Sequence, residues 1–107
     1  MQENVEYQIF IGCMDPHTGE EVVNENKLRN MVSEFFKKHK INFSMLSIRG
    51  CYIHKNGWIA TENTLCINIV GGKEEYILKL AKSLSMFMNQ ESCLITKNTL
   101  KSSIILR

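Results

Sequence analysis

The residues most able to do chemistry lie in a short stretch around an Asn56-Gly57 dipeptide. His54 precedes the dipeptide, Trp58 directly follows it, and Glu62 comes soon after. A histidine acts as a general base when a carboxylate orients it, so a pair formed by His54 and Glu62 would indicate an enzyme. The other candidates for such a pair are His17, His39 and Asp15.

The Asn56-Gly57 dipeptide predicts a β-hairpin with a two-residue turn. Such a turn pairs Lys55 with Trp58, and because side chains alternate along a strand, it places His54 and Glu62 on opposite faces. The sequence also lacks a nucleophile-elbow, zinc-protease or phosphate-loop motif. We therefore expect that the protein is not an enzyme, and a small hydrolase is the enzymatic alternative.

Side chains suited to binding a ligand lie on and near the same hairpin. An arginine can form paired hydrogen bonds with a phosphate or carboxylate, and an aromatic ring can stack on a base or sugar. The predicted ligand-binding residues are Arg49, Tyr52, Trp58, Glu62, Asn63 and Gln90. The structural alternative is that the amides satisfy backbone ends and that Arg49 and Glu62 form a surface ion pair.

Hydrophobic periodicity predicts the elements that position these residues. Residues 7–13 predict a strand and residues 43–70 one long hairpin, whereas apolar residues at helical spacing predict helices over 24–40 and 73–90. Two strand-like runs, SCLIT and LKSSIIL, follow around Lys97-Asn98. The order predicts an α+β, ferredoxin-like βαββαβ fold with an antiparallel sheet, both helices on one face and an extra C-terminal strand.

The two faces of the predicted hairpin differ in character. The face that the helices should cover carries Leu46, Ile48, Gly50, Tyr52, Leu65, Ile67 and Ile69. The other face mixes apolar groups with Arg49, which would lie diagonal to Glu62. A half-polar sheet face of this kind usually contacts another molecule, so we expect a homo-oligomer that uses it.

Composition limits the class of protein. The chain has 107 residues, of which 44% are hydrophobic and 22% charged, and this predicts a single domain over residues 1–107. A net charge of +2 gives no case for nucleic-acid binding. With no long apolar run and no signal peptide, we expect a cytoplasmic protein without membrane contact. The four cysteines lack metal-site spacing, so we expect buried thiols, no metal and no cofactor.

Three motifs carry a resemblance to a known group of proteins: FIGCMDPHTGEEV, GCYIHKNGWIATENTLCI and FMNQESCLI. The sequence resembles a family of small, uncharacterised bacterial and bacteriophage proteins. The resemblance implies one compact domain and makes a role in phage–host conflict plausible by association. We expect a non-enzymatic protein that sequesters a small anionic ligand such as a signalling nucleotide. The alternative is an inhibitor that binds a host protein.

Overall fold

A computed structural model describes residues 1–15, 18–53, 55–90 and 93–103, without the side chains of Tyr52, Ala60 and Ser102. Its elements are β1 (Gln2–Gly12), α1 (Glu25–His39), β2 (Phe43–Ile53), β3 (Ile59–Val70), α2 (Glu74–Phe87) and β4 (Leu94–Ser102). The four strands form one sheet in the order β2-β3-β1-β4, and every neighbouring pair is antiparallel. The predicted α+β, ferredoxin-like βαββαβ fold is confirmed.

The core lies between the helices and one face of the two central strands, β1 and β3. Alternate residues of these strands face the helices, and the pairs Ile9–Ile67 and Ile11–Leu65 are fully buried. The helices contribute residues at helical spacing, namely Leu28, Val32 and Phe36 from α1 and Ile77, Leu80, Ala81 and Leu84 from α2. Both helices therefore pack on one side of the sheet. We call the opposite side the open face.

The helix ends follow local rules of capping. The Asn24 side chain accepts a hydrogen bond of 2.8 Å from the Lys27 N–H, so Asn24 is the cap that starts α1. Lys40, at φ 55°, ends α1 in the left-handed conformation. Glu74 and Glu75 lie in the first turn of α2, where negative charge suits the helix dipole. Asn89, at φ 52°, follows the end of α2.

The predicted register of the β2–β3 hairpin is wrong by one residue. Ile53 pairs with Ile59, whereas a two-residue turn would have placed Ile53 opposite Ala60. At the turn, the Asn56 side chain accepts a 2.9 Å hydrogen bond from the Trp58 N–H. Because side chains alternate, a slip of one residue moves every β2 side chain to the other face relative to β3. Leu46, predicted as core, is consequently 58% exposed on the open face.

The two predicted strand-like runs near the C-terminus form one continuous strand, because β4 passes through Lys97-Asn98 without a break. The end of the second run, residues 104–106, lies outside the described residues. Among the helices that the structure describes, none combines the length and the apolar character needed to cross a bilayer. The division of the chain into one domain stays a prediction.

Candidate functional site

Glu62 is the one charged side chain that is buried in the described part of the chain. It lies near the start of β3 on the open face, opposite Gly50, and is 3% exposed. Its Oε2 accepts a 2.9 Å hydrogen bond from the backbone N–H of Met14. Burying a carboxylate costs free energy unless hydrogen bonds replace those it made to water. The position of Glu62 therefore depends on donors that the surrounding structure supplies.

Space for the Glu62 carboxylate comes from Gly12, the last residue of β1. A Cβ atom at position 12 would lie 2.6 Å from the carboxylate carbon of Glu62 and closer still to its Oε1. Gly12 is not among the glycines with positive φ, so its backbone would tolerate another residue. We conclude that the glycine is needed here because a carboxylate lies against the strand.

The loop between β1 and α1 supplies the N–H donor that binds Glu62. The loop folds back on itself, with Val22 N–H donating to Cys13 C=O at 3.1 Å and Asp15 N–H donating to Glu20 C=O at 2.7 Å. Met14 and Glu21 are paired between these hydrogen bonds. In an antiparallel ladder the residue between two such bonds directs its own N–H and C=O outward. The Met14 N–H is thereby available to Glu62.

The end of α2 reaches the same loop. Gln90 donates a hydrogen bond from Nε2 to the Met14 C=O, and Asn89 Nδ2 donates to Asp15 Oδ2 at 2.9 Å. Three separate parts of the chain thus meet at one end of the sheet. We call this group the Glu62 corner, and its members are Gly12, Met14, Asp15, Glu62, Asn89 and Gln90.

The charge around the Glu62 corner is mainly negative. Burial raises the pKa of the neighbouring Cys13 thiol to about 11, and the carboxylates of Glu25, Glu21 and Glu62 add to this increase. Arg29 acts in the opposite direction, with a smaller effect. Among the charged groups that act on Cys13, three are negative and one is positive.

The structure brings together only some of the predicted site residues. Glu62 and Gln90 meet through Met14. Trp58 is 41% exposed and lies near the β1–α1 loop. A Cβ atom added to Gly19 in that loop would lie 3.9 Å from the Trp58 ring. The backbone of Tyr52 pairs with Ala60, and its side chain lies outside the described part.

Arg49 and Asn63 form a separate pair, with Arg49 Nη1 donating to Asn63 Oδ1 at 3.4 Å. Both lie on the helix side of the sheet, so the predicted ion pair between Arg49 and Glu62 is wrong. The reason is the one-residue change of register. Whether the six predicted residues contact a ligand stays a prediction.

Of the candidate histidines, the structure describes His39, which lies far from Glu62. His39 stacks on Tyr76, with ring centroids 5.0 Å apart, where α1 ends and α2 begins. This is the end of the sheet opposite the start of β3. His17 and His54 lie outside the described residues.

Sequence reasoning missed Gly12, the Met14 backbone and Asn89. For Gly12 a signal was present, since an isolated glycine inside a strand pattern often marks a close approach by another group. The Met14 N–H could not be predicted in this way, because every residue except proline has a backbone N–H and the residue type does not show which one acts as a donor. Asn89 had a weaker signal, because asparagine tolerates positive φ at the end of a helix.

Comparisons with solved structures show which proteins share the fold. The chain resembles a phage SAM lyase in complex with S-methyl-5'-thioadenosine, with a TM-score of 0.74 and 22% identity over 89% of this chain and 80% of that one. It also resembles a phage SAM lyase in the apo state, with a TM-score of 0.70 and 19% identity over 97% and 94% of the two chains.

A third similar structure is CutA from Pyrococcus horikoshii, with a TM-score of 0.57 and 11% identity over 94% of this chain and 87% of that one. No protein-family model matches the sequence, and no curated protein matches it either. At these identities the structural likeness shows a shared fold. It also supports the resemblance to small phage and bacterial proteins.

The comparisons correct the expectation about function. We expected a non-enzymatic binding protein, and that expectation is wrong because the two phage proteins with TM-scores of 0.74 and 0.70 are lyases. The expectation rested on the predicted separation of His54 from Glu62 and on the lack of known catalytic motifs in the sequence.

Proposed function

We propose that this chain is a lyase that acts on S-adenosylmethionine or a closely related sulfonium compound. The observation that carries the proposal is the buried Glu62 carboxylate, held by the Met14 N–H in a negatively charged corner. The shared fold with phage SAM lyases supports the choice of substrate. A substrate with a sulfonium and an ammonium group has the charge that this corner favours.

The chemistry of a sulfonium explains why a small site suffices. The substrate's own carboxylate attacks the carbon of the amino-acid chain that is bonded to sulfur and closes a lactone. As the new C–O bond forms, the C–S bond breaks and its electron pair goes to the sulfur, which becomes a neutral thioether. For S-adenosylmethionine that thioether is S-methyl-5'-thioadenosine. The leaving group needs no proton, so a general acid is unnecessary. The protein has to bind, orient and partly desolvate the substrate.

The role proposed for Glu62 is to bind the positive charge of the substrate. A carboxylate that has left bulk water interacts more strongly with a cation than an exposed one does. The interaction disappears with the sulfonium charge, which favours release of the neutral product.

Incubation of the purified protein with S-adenosylmethionine tests the proposal. Liquid chromatography with mass detection should show S-methyl-5'-thioadenosine forming in proportion to protein concentration, above the rate without protein. Running the reaction in ¹⁸O-labelled water separates a lyase from a hydrolase, because a hydrolase places the label on the carbon that carried the sulfur. No protein-dependent product would contradict the proposal.

The predicted homo-oligomer is also retained as a proposal. β2 is an edge strand of 11 residues whose one charged side chain is Arg49, and it lacks the proline, lysine and carboxylates that discourage edge pairing. Leu46, Ile53 and Ile59 on this hairpin are 58%, 77% and 60% exposed. Leu46 lies on the open face and Ile53 and Ile59 lie on the helix side, so a second copy that pairs along the β2 edge would cover part of both faces and remove apolar area from water.

Light scattering coupled to size-exclusion chromatography measures the assembly directly. A mass that is a multiple of 12.4 kDa would support the proposal, and a monomer at micromolar concentration would contradict it. Replacing Ile53 with Lys should shift an oligomer toward monomer, because it places a charge on the exposed edge. The role in phage–host conflict stays a prediction.

A further inference from the structure

The turn after α2 contains two amide side chains that both bind the loop between β1 and α1. Gln90 donates to the Met14 C=O, and Asn89 donates to Asp15 Oδ2 at 2.9 Å. We call Asn89 and Gln90 the α2 latch. We infer that the α2 latch, through Gln90 above all, positions the Met14 N–H that holds the Glu62 carboxylate. The functional part of this inference rests on the proposed lyase activity.

The geometry of Met14 connects the latch to Glu62. The loop hydrogen bonds on either side of the Met14–Glu21 pair leave both polar backbone groups of Met14 directed away from Glu21. Glu62 binds the N–H and Gln90 binds the C=O. Because both groups belong to one extended residue, holding the C=O limits the rotation that would turn the N–H away from Glu62.

Backbone hydrogen bonds and a buried side chain fix the position of the α2 latch at the end of α2. Asn89 N–H donates to Met86 C=O at 3.2 Å, and Gln90 N–H donates to Ser85 C=O at 2.8 Å, so the last turn is closed by its own hydrogen bonds. Asn89 has φ 52°, a conformation that asparagine adopts more readily than most residues. Met88, directly before the latch, is fully buried and fixes the turn to the core.

The latch itself is not part of the core. Asn89 is exposed and Gln90 is half-buried, whereas the residues that fill the core are apolar. Substitution of either amide should therefore leave the protein folded. A loss of activity in a variant that still folds would then indicate a positioning role and not a role in stability. In this account Gln90 affects the substrate only indirectly, through Met14 and Glu62.

The first arm of the test needs no substrate. Amide hydrogen exchange of Met14 is followed by NMR in the wild type, in Gln90→Glu and in Gln90→Ala, with Gln2→Glu on exposed β1 as the matched control. Gln90→Glu keeps the shape but loses the donor, and Gln90→Ala removes the donor without adding charge. We expect both to increase exchange at Met14 about tenfold, as for the loss of one hydrogen bond, while core amides of β1 and β3 stay unchanged.

The second arm measures release of S-methyl-5'-thioadenosine. We expect both Gln90 variants to reduce kcat/KM about tenfold, and Gln2→Glu to leave it unchanged. If the Met14 amide exchanged at the wild-type rate in both Gln90 variants, the inference that Gln90 positions the Met14 N–H would be wrong. Faster exchange with undiminished turnover would overturn its functional importance. A wild type without turnover would count against the lyase proposal alone, because the exchange arm still decides whether the latch holds Met14.

Discussion

Two carboxylates at opposite ends of β3 have very different surroundings. Glu62, near the start of the strand, is 3% exposed and accepts a hydrogen bond from a neutral backbone N–H. Glu74, just after the strand, is exposed and lies 2.9 Å from Lys97 Nζ, with the Tyr7 hydroxyl donating to it at 3.4 Å. The hydrogen bond from Lys97, followed by its charge, lowers the pKa of Glu74.

The difference favours Glu62 over Glu74 as part of the proposed site. Glu74 stays ionised beside a cation in water, and an exposed pair of this kind contributes little to stability. Glu62 is buried, Gly12 leaves space for its carboxylate, and the β1–α1 loop directs the Met14 N–H toward it. A fold that only needed a surface charge would not require this arrangement, so the comparison favours the Glu62 corner as the site.

The largest contrast we expect is in cysteine reactivity. Cys13 is buried next to the Glu62 corner with a pKa of about 11, whereas Cys51 is exposed. At pH 8 the Cys13 thiol should be almost entirely protonated, so iodoacetamide should label Cys51 at least about 100-fold faster. Mass spectrometry of the peptides measures both rates.

The same pKa fixes the sign of a pH effect. A thiol whose pKa rises on folding from 9.0 to about 11 stabilises the folded state at pH below 9, and this contribution is lost as pH rises through 11. Cys13→Ala should reduce the loss of stability over that range. Equal labelling of Cys13 and Cys51 at pH 8 would contradict the burial and the negative charge of this corner.

A second contrast concerns space beneath the carboxylate. Gly12→Ala should destabilise the protein by about 1–3 kcal/mol, because the added methyl group collides with Glu62 in a packed site. It should also reduce lyase activity at least about tenfold by displacing the carboxylate. Urea unfolding and product release measure the two effects.

The control for Gly12→Ala is a double-mutant cycle with Glu62→Ala. Removing the Glu62 side chain removes the collision, so Gly12→Ala should cost much less in that background. An equal cost in both backgrounds would mean that the glycine is needed for another reason.

The smallest effect is expected at the opposite end of the sheet. Glu74→Gln and Lys97→Met remove an exposed ion pair, so each should leave the thermal midpoint and the lyase activity unchanged within error. Thermal unfolding and product release check both. A large loss of activity from either variant would move the candidate site away from Glu62.

Most of the fold could be predicted from the sequence because its signals are local. The apolar stripe of α1, with Leu28, Val32 and Phe36 at helical spacing, is buried as its period predicts. The cap at Asn24 and the hairpin around Asn56-Gly57 are also present. Each of these features depends on residues that are close in sequence.

The register could not be predicted because it depends on the length of a loop. The Asn56-Gly57 dipeptide marks where the chain turns, but it does not determine how many residues the loop contains. Ile53 pairs with Ile59, and the resulting shift moves Arg49 from the face of Glu62 to the other face. An error of one residue was therefore enough to join Arg49 and Glu62 wrongly in one site.

The site itself was only partly predictable. Glu62 and Gln90 were selected as polar groups, but their connection runs through the backbone of Met14, which is far from both in sequence. Such a contact follows from the packing of β1, β3 and the end of α2 together. No periodicity or motif encodes it.

The most direct test of the account is the rate of S-methyl-5'-thioadenosine release by the wild type and by Glu62→Gln, measured side by side over a range of S-adenosylmethionine concentrations. Glutamine keeps the size of the side chain and an oxygen that can accept from the Met14 N–H, so the variant should fold normally by circular dichroism. We predict protein-dependent release by the wild type and a fall in kcat/KM of at least about 100-fold in the variant, as for loss of a desolvated charge that binds substrate. Equal rates for the two proteins would contradict the assignment of the site to Glu62.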